Sequence, residues 1–304
     1  MTTTDLPTNR SIPASRTPTA EPRLVSICDR AAWALLRPAI ALLRRSDRID
    51  GATLGTIAWA LLRSRRREAA RNAALCAGAD AETVARESFR AFGRTLVEAL
   101  RLPRVAPAVT WREPDALTPI LREQRPAIIL SGHLGNWEAA AWAIQQRAAR
   151  AGTRLHLIVA PPSNPLAAQY ADGLRREWGV TPHRRVDSLR PIVRALMQGD
   201  LAGTAADQYP GRDAVLRGDV FHVPFLGRET AFTRTMFRLS ERTGAPIVAL
   251  AAIRTERGFD IFTERIADGS AQEMCRAWVA ALERYIREYP GQYLWMHRRW
   301  KNEP

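Results

Sequence analysis

Lysine is almost missing from this sequence: Lys301 is the only one, against 44 arginines. A codon bias that writes arginine for lysine explains the ratio. It does not explain the excess of 45 basic over 31 acidic side chains, a formal net charge of +14. A positive field of that size suits nucleic acid, an anionic membrane surface or an anionic substrate. Cysteine is scarce too. Cys28, Cys76 and Cys275 lie far apart and are odd in number, which excludes a disulfide framework and fits a reducing, cytoplasmic compartment. Long apolar runs are lacking. Gly51–Leu62 is uncharged but only 12 residues long, and Arg37 and Pro38 divide Ala31–Leu36 from Ala39–Leu43, so no segment reads as crossing a bilayer. Residues 1–22, rich in Thr, Pro, Ser and Arg, lack the apolar core of a secretory signal and read as a disordered lead. No helix-turn-helix, zinc-finger or RNA-binding signature accompanies the charge, so nucleic acid is not expected as a partner. There is no G-x-S-x-G nucleophile elbow. His156, His183 and His222 are scattered, and no metal site is expected.

What is there is a globular composition, 46% apolar and 25% charged, with length enough for a large core. Residues 23–107 read as a helical N-terminal region. Its clearest helix follows Asp80, a candidate N-cap, with Val84, Phe89, Phe92, Leu96, Val97 and Leu100 on one stripe, and Pro103 and Pro107 end it. With the runs Arg44, Arg45 and Arg63, Arg65, Arg66, Arg67, these apolar helices suit attachment to an anionic membrane.

Residues 108–304 read as an α/β domain. Strands are expected at Ala127–Leu130, Arg154–Ala160, Leu201–Ala206, Pro246–Ile253 and Phe259–Glu264. Helices are expected at 137–149, from Asn164-Pro165 to Trp178, over Ser188–Gln198, over Thr233–Thr243 and over Ala271–Tyr289. The expected fold class is therefore α/β: a mixed sheet flanked by helices, with an N-terminal helical membrane-associating region.

The chemistry concentrates in Ser131-Gly132-His133-Leu134-Gly135-Asn136-Trp137-Glu138, where a buried strand meets a helix. Ligands gather at such strand ends. His133 can take a proton from a hydroxyl near neutral pH. Glu138, five residues on, is expected to turn back to the imidazole, fix its tautomer and stabilise the imidazolium. Backbone N–H groups around Gly135 and Asn136 are expected to serve a developing oxyanion. Asp207, at a strand end, is a candidate either to orient substrate or to support His133, with Gln208 beside it. His297, Arg298, Arg299 and Lys301 form a basic cluster near the C-terminus, read as headgroup binding or structural closure beside the site.

His133-Leu134-Gly135-Asn136-Trp137-Glu138 resembles the H-x4-D/E motif of glycerolipid-type acyltransferases, and most closely the bacterial lipid A biosynthesis (lauroyl/myristoyl) acyltransferases. Further segments agree in order. Asn164-Pro165 followed by Leu174-Arg175-Arg176-Glu177-Trp178-Gly179 is similar to the family's NP…R-x-x-x-G stretch. Asp207-Gln208, Val223-Pro224-Phe225-Leu226-Gly227, Thr243-Gly244-Ala245-Pro246 and Tyr293-Leu294-Trp295-Met296-His297-Arg298-Arg299-Trp300-Lys301 each resemble family segments. The likeness covers about residues 24–304. One departure is Ala160, where the family commonly carries an arginine. Arg175, Arg184 or Arg185 must replace it, or the acceptor differs.

The resemblance implies an O-acyltransferase without a cofactor. His133 and Glu138 would be catalytic, and Gly135, Asn136, Arg175, Asp207, Gln208 and Arg298 would bind substrate. The implied partners are an acyl carrier protein or coenzyme A thioester as donor, an anionic lipid acceptor such as a lipid A precursor, and the cytoplasmic face of the inner membrane, where the protein would be peripheral. Another membrane lipid as acceptor, or a non-catalytic lipid-binding scaffold on the same fold, are the alternatives.

Overall fold

The computed structural model describes residues 25–160, 162–185 and 188–300; the lead over 1–22 and Lys301 lie outside them. Four helices come first: α1 (Ile27–Arg45), α2 (Gly51–Leu61), α3 (Arg63–Ala77) and α4 (Ala81–Arg101). Strand β1 (Val109–Asp115) and helix α5 (Leu117–Arg122) lead into β2 (Ala127–Gly135), α6 (Trp137–Arg150), β3 (Leu155–Val159), α7 (Pro165–Glu177), β4 (Thr181–Arg184), α8 (Leu189–Met197) and β5 (Leu201–Ala205). Then come α9 (Arg212–Leu216), the hairpin β6 (Val220–Phe225) and β7 (Arg228–Thr233), α10 (Thr235–Thr243), β8 (Ile247–Thr255), β9 (Gly258–Arg265) and α11 (Ala271–Glu288).

Seven strands form one mixed sheet in the order β1-β9-β8-β2-β5-β3-β4. The five strands from β8 to β4 are parallel, while β9 and β1 run against them. Strand β2 is apolar at every position from Ala127 to Leu130 because helices cover both sheet faces. Ile128 and Leu130 join one core with α8, α10 and α11; Ala127 and Ile129 join the other with α5, α6 and α7. The expected α/β class, a mixed sheet flanked by helices, is thus observed.

Local chemistry explains most element ends. Asn164 caps α7 by accepting from the N–H groups of Leu166 and Ala167, with Pro165 in the first turn. Gly244, at φ +70°, closes α10. Asp80 departs from expectation: it makes no side-chain cap on α4 and sits in a short 3-10 turn. Helix α1 runs unbroken through Pro38, on an exposed face. Strands β1, β4, β6 and β7 escape a periodicity reading because they are short or polar on one or both faces.

Helix α4 fastens the region around the end of β2. Thr95 Oγ1 donates to the Gly135 carbonyl at 3.1 Å. Glu98 forms a forked ion pair with Arg254 of β8 and accepts from Asn136 Nδ2 at 2.7 Å. Between Ser131 and Gly135 the β2–β8 register shifts, a bulge that frees residues 132–134 from β8. Gly135 closes the bulge at φ +64°, and a Cβ there would lie 1.7 Å from the Ala252 carbonyl oxygen. Gly135→Ala is therefore expected to destabilise the protein. The left-handed backbone alone costs roughly 1–2 kcal/mol with a side chain, and displacing β8 adds to it. Chemical denaturation of the two proteins checks this, and equal midpoints would contradict it.

Candidate active site

Register assembles the site. In the β2–β5 pair Ala127 faces Leu201 and Ser131 faces Ala205, and the Ala206 N–H still bonds the Ser131 carbonyl. Two residues further along each chain come His133 and Asp207. The Asp207 carboxylate is 2% exposed; it accepts the His133 Nδ1–H at 2.6 Å and the His133 backbone N–H at 3.0 Å. Nδ1 is the donor because the carboxylate can only accept. Burial works to raise the Asp207 carboxyl, but the charge of His133, both of its hydrogen bonds and a further one from Tyr293 outweigh it and hold the group down to about 2. Tyr293 itself, buried beside that carboxylate, is pushed well above the ordinary phenol range and stays protonated.

The other imidazole nitrogen, Nε2, is left as an acceptor. Gln208 Nε2 lies 3.2 Å from it. The ring rests edge-on against Trp137 at 4.8 Å, and the His133 carbonyl accepts from the Leu294 N–H at 3.0 Å. His133 and Gln208 line a cleft of about 530 Å³. Its wall carries polar side chains, among them Glu138, Arg175 and Arg185, and apolar ones, among them Ile129, Ile144, Leu155, Leu157 and Leu250. That volume falls within the range of small-molecule sites, about 300–1,000 Å³.

Of the residues expected at the site, Asp207 and Gln208 lie against His133, and Arg175 lines the cleft. Four are corrected. Glu138 does not orient the imidazole; it forms a forked ion pair with Arg175, one arm being 3.2 Å from Arg175 Nε. The first turn of α6 aims it at α7, while Nδ1 of His133 faces β5. The backbone N–H of Asn136 does not await an oxyanion, because it donates to the Ala252 carbonyl at 2.9 Å. The Asn136 side chain is wholly buried, capping α6 through the Ala139 N–H, and Gly135 serves the bulge. Arg298 is exposed and lines neither the cleft nor any cavity at His133. Its neighbour Arg299 turns inward instead, donating to the Ala231 carbonyl and lying 4.6 Å over the Phe232 ring. Sequence cannot say which of two adjacent arginines faces in.

Of the arginines considered as replacements at the Ala160 position, Arg184 pairs with Asp172 and does not line the cleft. Arg185 does line it, as does Ala160. The Arg185 guanidinium donates to the Pro210 carbonyl at 2.8 Å. His156 and His183 are not scattered in space. They stack at 5.2 Å and share a hydrogen bond, with Asp200 on the far nitrogen of His156. His156 and Asp200 stand at the amino ends of β3 and β5, His156 level with Ile128, five residues before His133 on β2.

A family model described as bacterial lipid A biosynthesis acyltransferase matches residues 33–302. The chain is 26% identical to the lipid A biosynthesis palmitoleoyltransferase of Escherichia coli (strain K12), with 84% of each chain covered. It has the same identity and coverage with the lipid A biosynthesis acyltransferase of Shigella flexneri.

The geometry specifies a tautomer. Imidazole ¹⁵N shifts are expected to show His133 protonated at Nδ1 and bare at Nε2, and Asp207→Asn to lose that preference. A Nε2–H form in the parent protein would contradict the assignment. Because the folded Asp207 carboxyl sits below its ordinary 3.8, at about 2, its stabilisation is present above about pH 4 and is lost as pH falls toward 2. The stability gap between parent and Asp207→Asn, about 2 kcal/mol at neutral pH, is expected to close over that window.

Proposed function

The chain belongs to the bacterial lipid A biosynthesis acyltransferase family, and we propose that it moves a fatty acyl group from an acyl thioester to a hydroxyl of a phosphorylated lipid A precursor. The protein is an acyltransferase by this membership; donor, residues and mechanism are our reading. The observation that carries it is a buried carboxylate held to an imidazole whose other nitrogen, met by the Gln208 amide, lines a cleft with both polar and apolar walls.

In this reading the acceptor hydroxyl displaces the Gln208 amide from Nε2. His133 takes the hydroxyl proton as that oxygen attacks the thioester carbonyl carbon. The tetrahedral intermediate collapses, the carbon–sulfur bond breaks, and the departing thiolate of acyl carrier protein or coenzyme A receives the proton from the imidazolium. Asp207 stays ionised and stabilises the imidazolium. A general base so placed contributes about 10²–10⁴-fold. The freed Gln208 amide is a donor at the reacting centre, suited to the oxyanion. The apolar wall suits the acyl chain. Glu138 holds Arg175 in a fixed pose at the cleft rather than acting on His133.

For the acceptor's charge we propose Arg185 at the cleft, in the role that Ala160 leaves open. Arginine suits phosphate because its planar fork donates two parallel hydrogen bonds.

We also propose a division of labour, with residues 23–107 facing a membrane and 108–304 carrying the chemistry. None of the described helices is long and apolar enough to cross a membrane. Yet Ile27, Ala31, Leu35, Pro38 and Leu42 form one stripe along α1, and all are exposed. An outward apolar stripe flanked by Arg30 and Arg37 fits the headgroup boundary of an anionic bilayer.

Three tests follow from this reading. His133→Ala and Asp207→Asn are each expected to lower kcat about 10²-fold or more with circular dichroism unchanged, whereas Glu138→Gln, by freeing Arg175, is expected to raise KM as well. Near-normal turnover in a folded His133→Ala protein would sink the mechanism. Arg185→Ala is expected to raise the acceptor KM about tenfold or more, the weight of a hydrogen bond to a charged group, and to leave donor KM alone; an unchanged acceptor KM removes Arg185 from the headgroup role. Finally, Leu35→Glu with Leu42→Glu is expected to abolish co-sedimentation with phosphatidylglycerol vesicles, while high salt should remove only part of the parent protein. Parental sedimentation by the double variant would dismiss the α1 stripe as the attachment surface.

A further inference from the structure

The carboxylate that holds His133 has a second imidazole beside it. A small cavity of about 10 Å³ is bounded by Asn72, His133, Asp207, Gln208 and His297, among others. That is room for one water molecule, and a wall of this polarity is one that water occupies. His297 Nδ1 is buried and has no hydrogen-bond partner among the described residues. A buried polar nitrogen left so is unfavourable by about 1–3 kcal/mol, which a bridging water relieves.

The segment bearing His297 is tied to the site from two sides. Asn72 of α3 donates from Nδ2 to the carbonyls of Trp295 and His297, each at 2.9 Å. Leu294 donates to the His133 carbonyl, and Tyr293 reaches Asp207. The charged and titratable groups around His297 are Asp207, His133, Arg299 and Arg65, with the Tyr293 hydroxyl on Asp207. Burial lowers the His297 imidazole to about 4; Asp207 works against this, and His133, Arg299 and Arg65 add to it. At neutral pH the ring is therefore uncharged. It does not compete with His133 for the Asp207 carboxylate as a second cation would.

We propose that His297 is a positioning residue, acting through one ordered water held between its Nδ1 and the Asp207–His133 pair. The water gives the carboxylate a fixed partner outside the imidazole, so that Asp207, and with it Nε2 of His133, keeps one orientation while the acceptor hydroxyl is bound. This rests on the reading of His133 as the base.

The test compares His297→Phe, which keeps a planar ring and removes both nitrogens, with His297→Asn, which restores a polar atom near the position of Nδ1. The readouts are kcat, KM for donor and acceptor, and the pH profile of kcat/KM. His297→Phe is expected to lower kcat about tenfold or more, as small misplacements of a reacting group do, with both KM values unchanged and the acid limb of the profile shifted. His297→Asn is expected to recover most of kcat and the parental limb. If folded His297→Phe keeps the parental kcat and profile, the proposal is overturned; if His297→Asn is as poor as His297→Phe, the side chain only fills space and the proposal again fails. A high-resolution crystal structure of the parent protein gives a readout independent of any variant: water density within hydrogen-bond distance of Nδ1 supports the proposal, and its absence overturns it. His133→Ala, assayed alongside, separates the two readings, since full activity there would remove the base itself rather than its positioning.

Discussion

The bond between Asp207 and His133 is the constraint around which the rest is arranged. A carboxylate that is 2% exposed stays ionised only because donors surround it. Three of those donors come from two places in the chain: the ring and backbone of His133 at the end of β2, and Tyr293 beyond α11. Each must arrive together. The β2–β5 register brings His133 opposite Asp207, and the bulge before Gly135 releases His133 from β8. Gly132 contributes by what it lacks, since a Cβ there would crowd Leu282 at 2.6 Å and stand 3.5 Å from the Asp207 carboxyl carbon. Helix α4 then fixes the end of the bulge through Thr95 and Glu98.

Two carboxylates near one histidine have been given different work by their surroundings. Asp207 is enclosed and meets neutral donors and an imidazole, so it can respond to a charge that appears on the ring. Glu138 already faces a permanent cation, Arg175, in a forked geometry. An arginine never gives up its proton, so Glu138 has no comparable response to make. Asp172 lies near Arg175 as well, at 3.9 Å. The charge of Arg175 is thus largely balanced within the fold. Arg185, at the same cleft, meets the Pro210 carbonyl and no carboxylate among the described residues. That contrast is why the proposal gives the phosphate to Arg185 and not to Arg175.

Much of this was legible in the sequence, and the misses have specific causes. The order of strands and helices from Ala127 onward is readable because buried parallel strands are short apolar runs and the helices between them carry ordinary caps, as at Asn164 and Gly244. His133 is singled out by its place between a strand and a helix together with the motif resemblance around it. Its partner is harder to choose: Asp207 is a candidate from its strand end, but proximity along the chain favours Glu138, whereas proximity across a sheet depends on register. A signal for Asp207 did exist. His133 and Asp207 each stand six residues after the paired strand residues Ala127 and Leu201, so equal offsets in two neighbouring parallel strands mark residues that meet. Using it requires knowing that β5, and not β3, neighbours β2, and sequence order suggests the opposite. The glycine and asparagine of the motif were misread for another reason. Gly135 and Asn136 look like substrate-contacting residues in one dimension, but a bulge needs a left-handed glycine and the following helix needs a buried cap.

The arrangement around Nε2 also bears on whether an acyl-enzyme would form. A serine or cysteine that attacks on its own account needs a hydrogen bond to its base, at about 2.6–3.2 Å. The partner at Nε2 is the amide of Gln208, a group that cannot serve as that nucleophile. Ser131 lines the same cleft, two residues before His133, yet no bond joins its hydroxyl to the ring among the described residues. Cys275 lies in the α11 core, and burial pushes its thiol up to about 12, far from a thiolate at neutral pH. Carboxylate and imidazole are in place, and no third member of such a triad stands at Nε2 among the described residues. On the proposed reading the acceptor supplies it. The hydroxyl that completes the site is then the one that becomes acylated, and an active site without an acceptor holds a base but no nucleophile of its own.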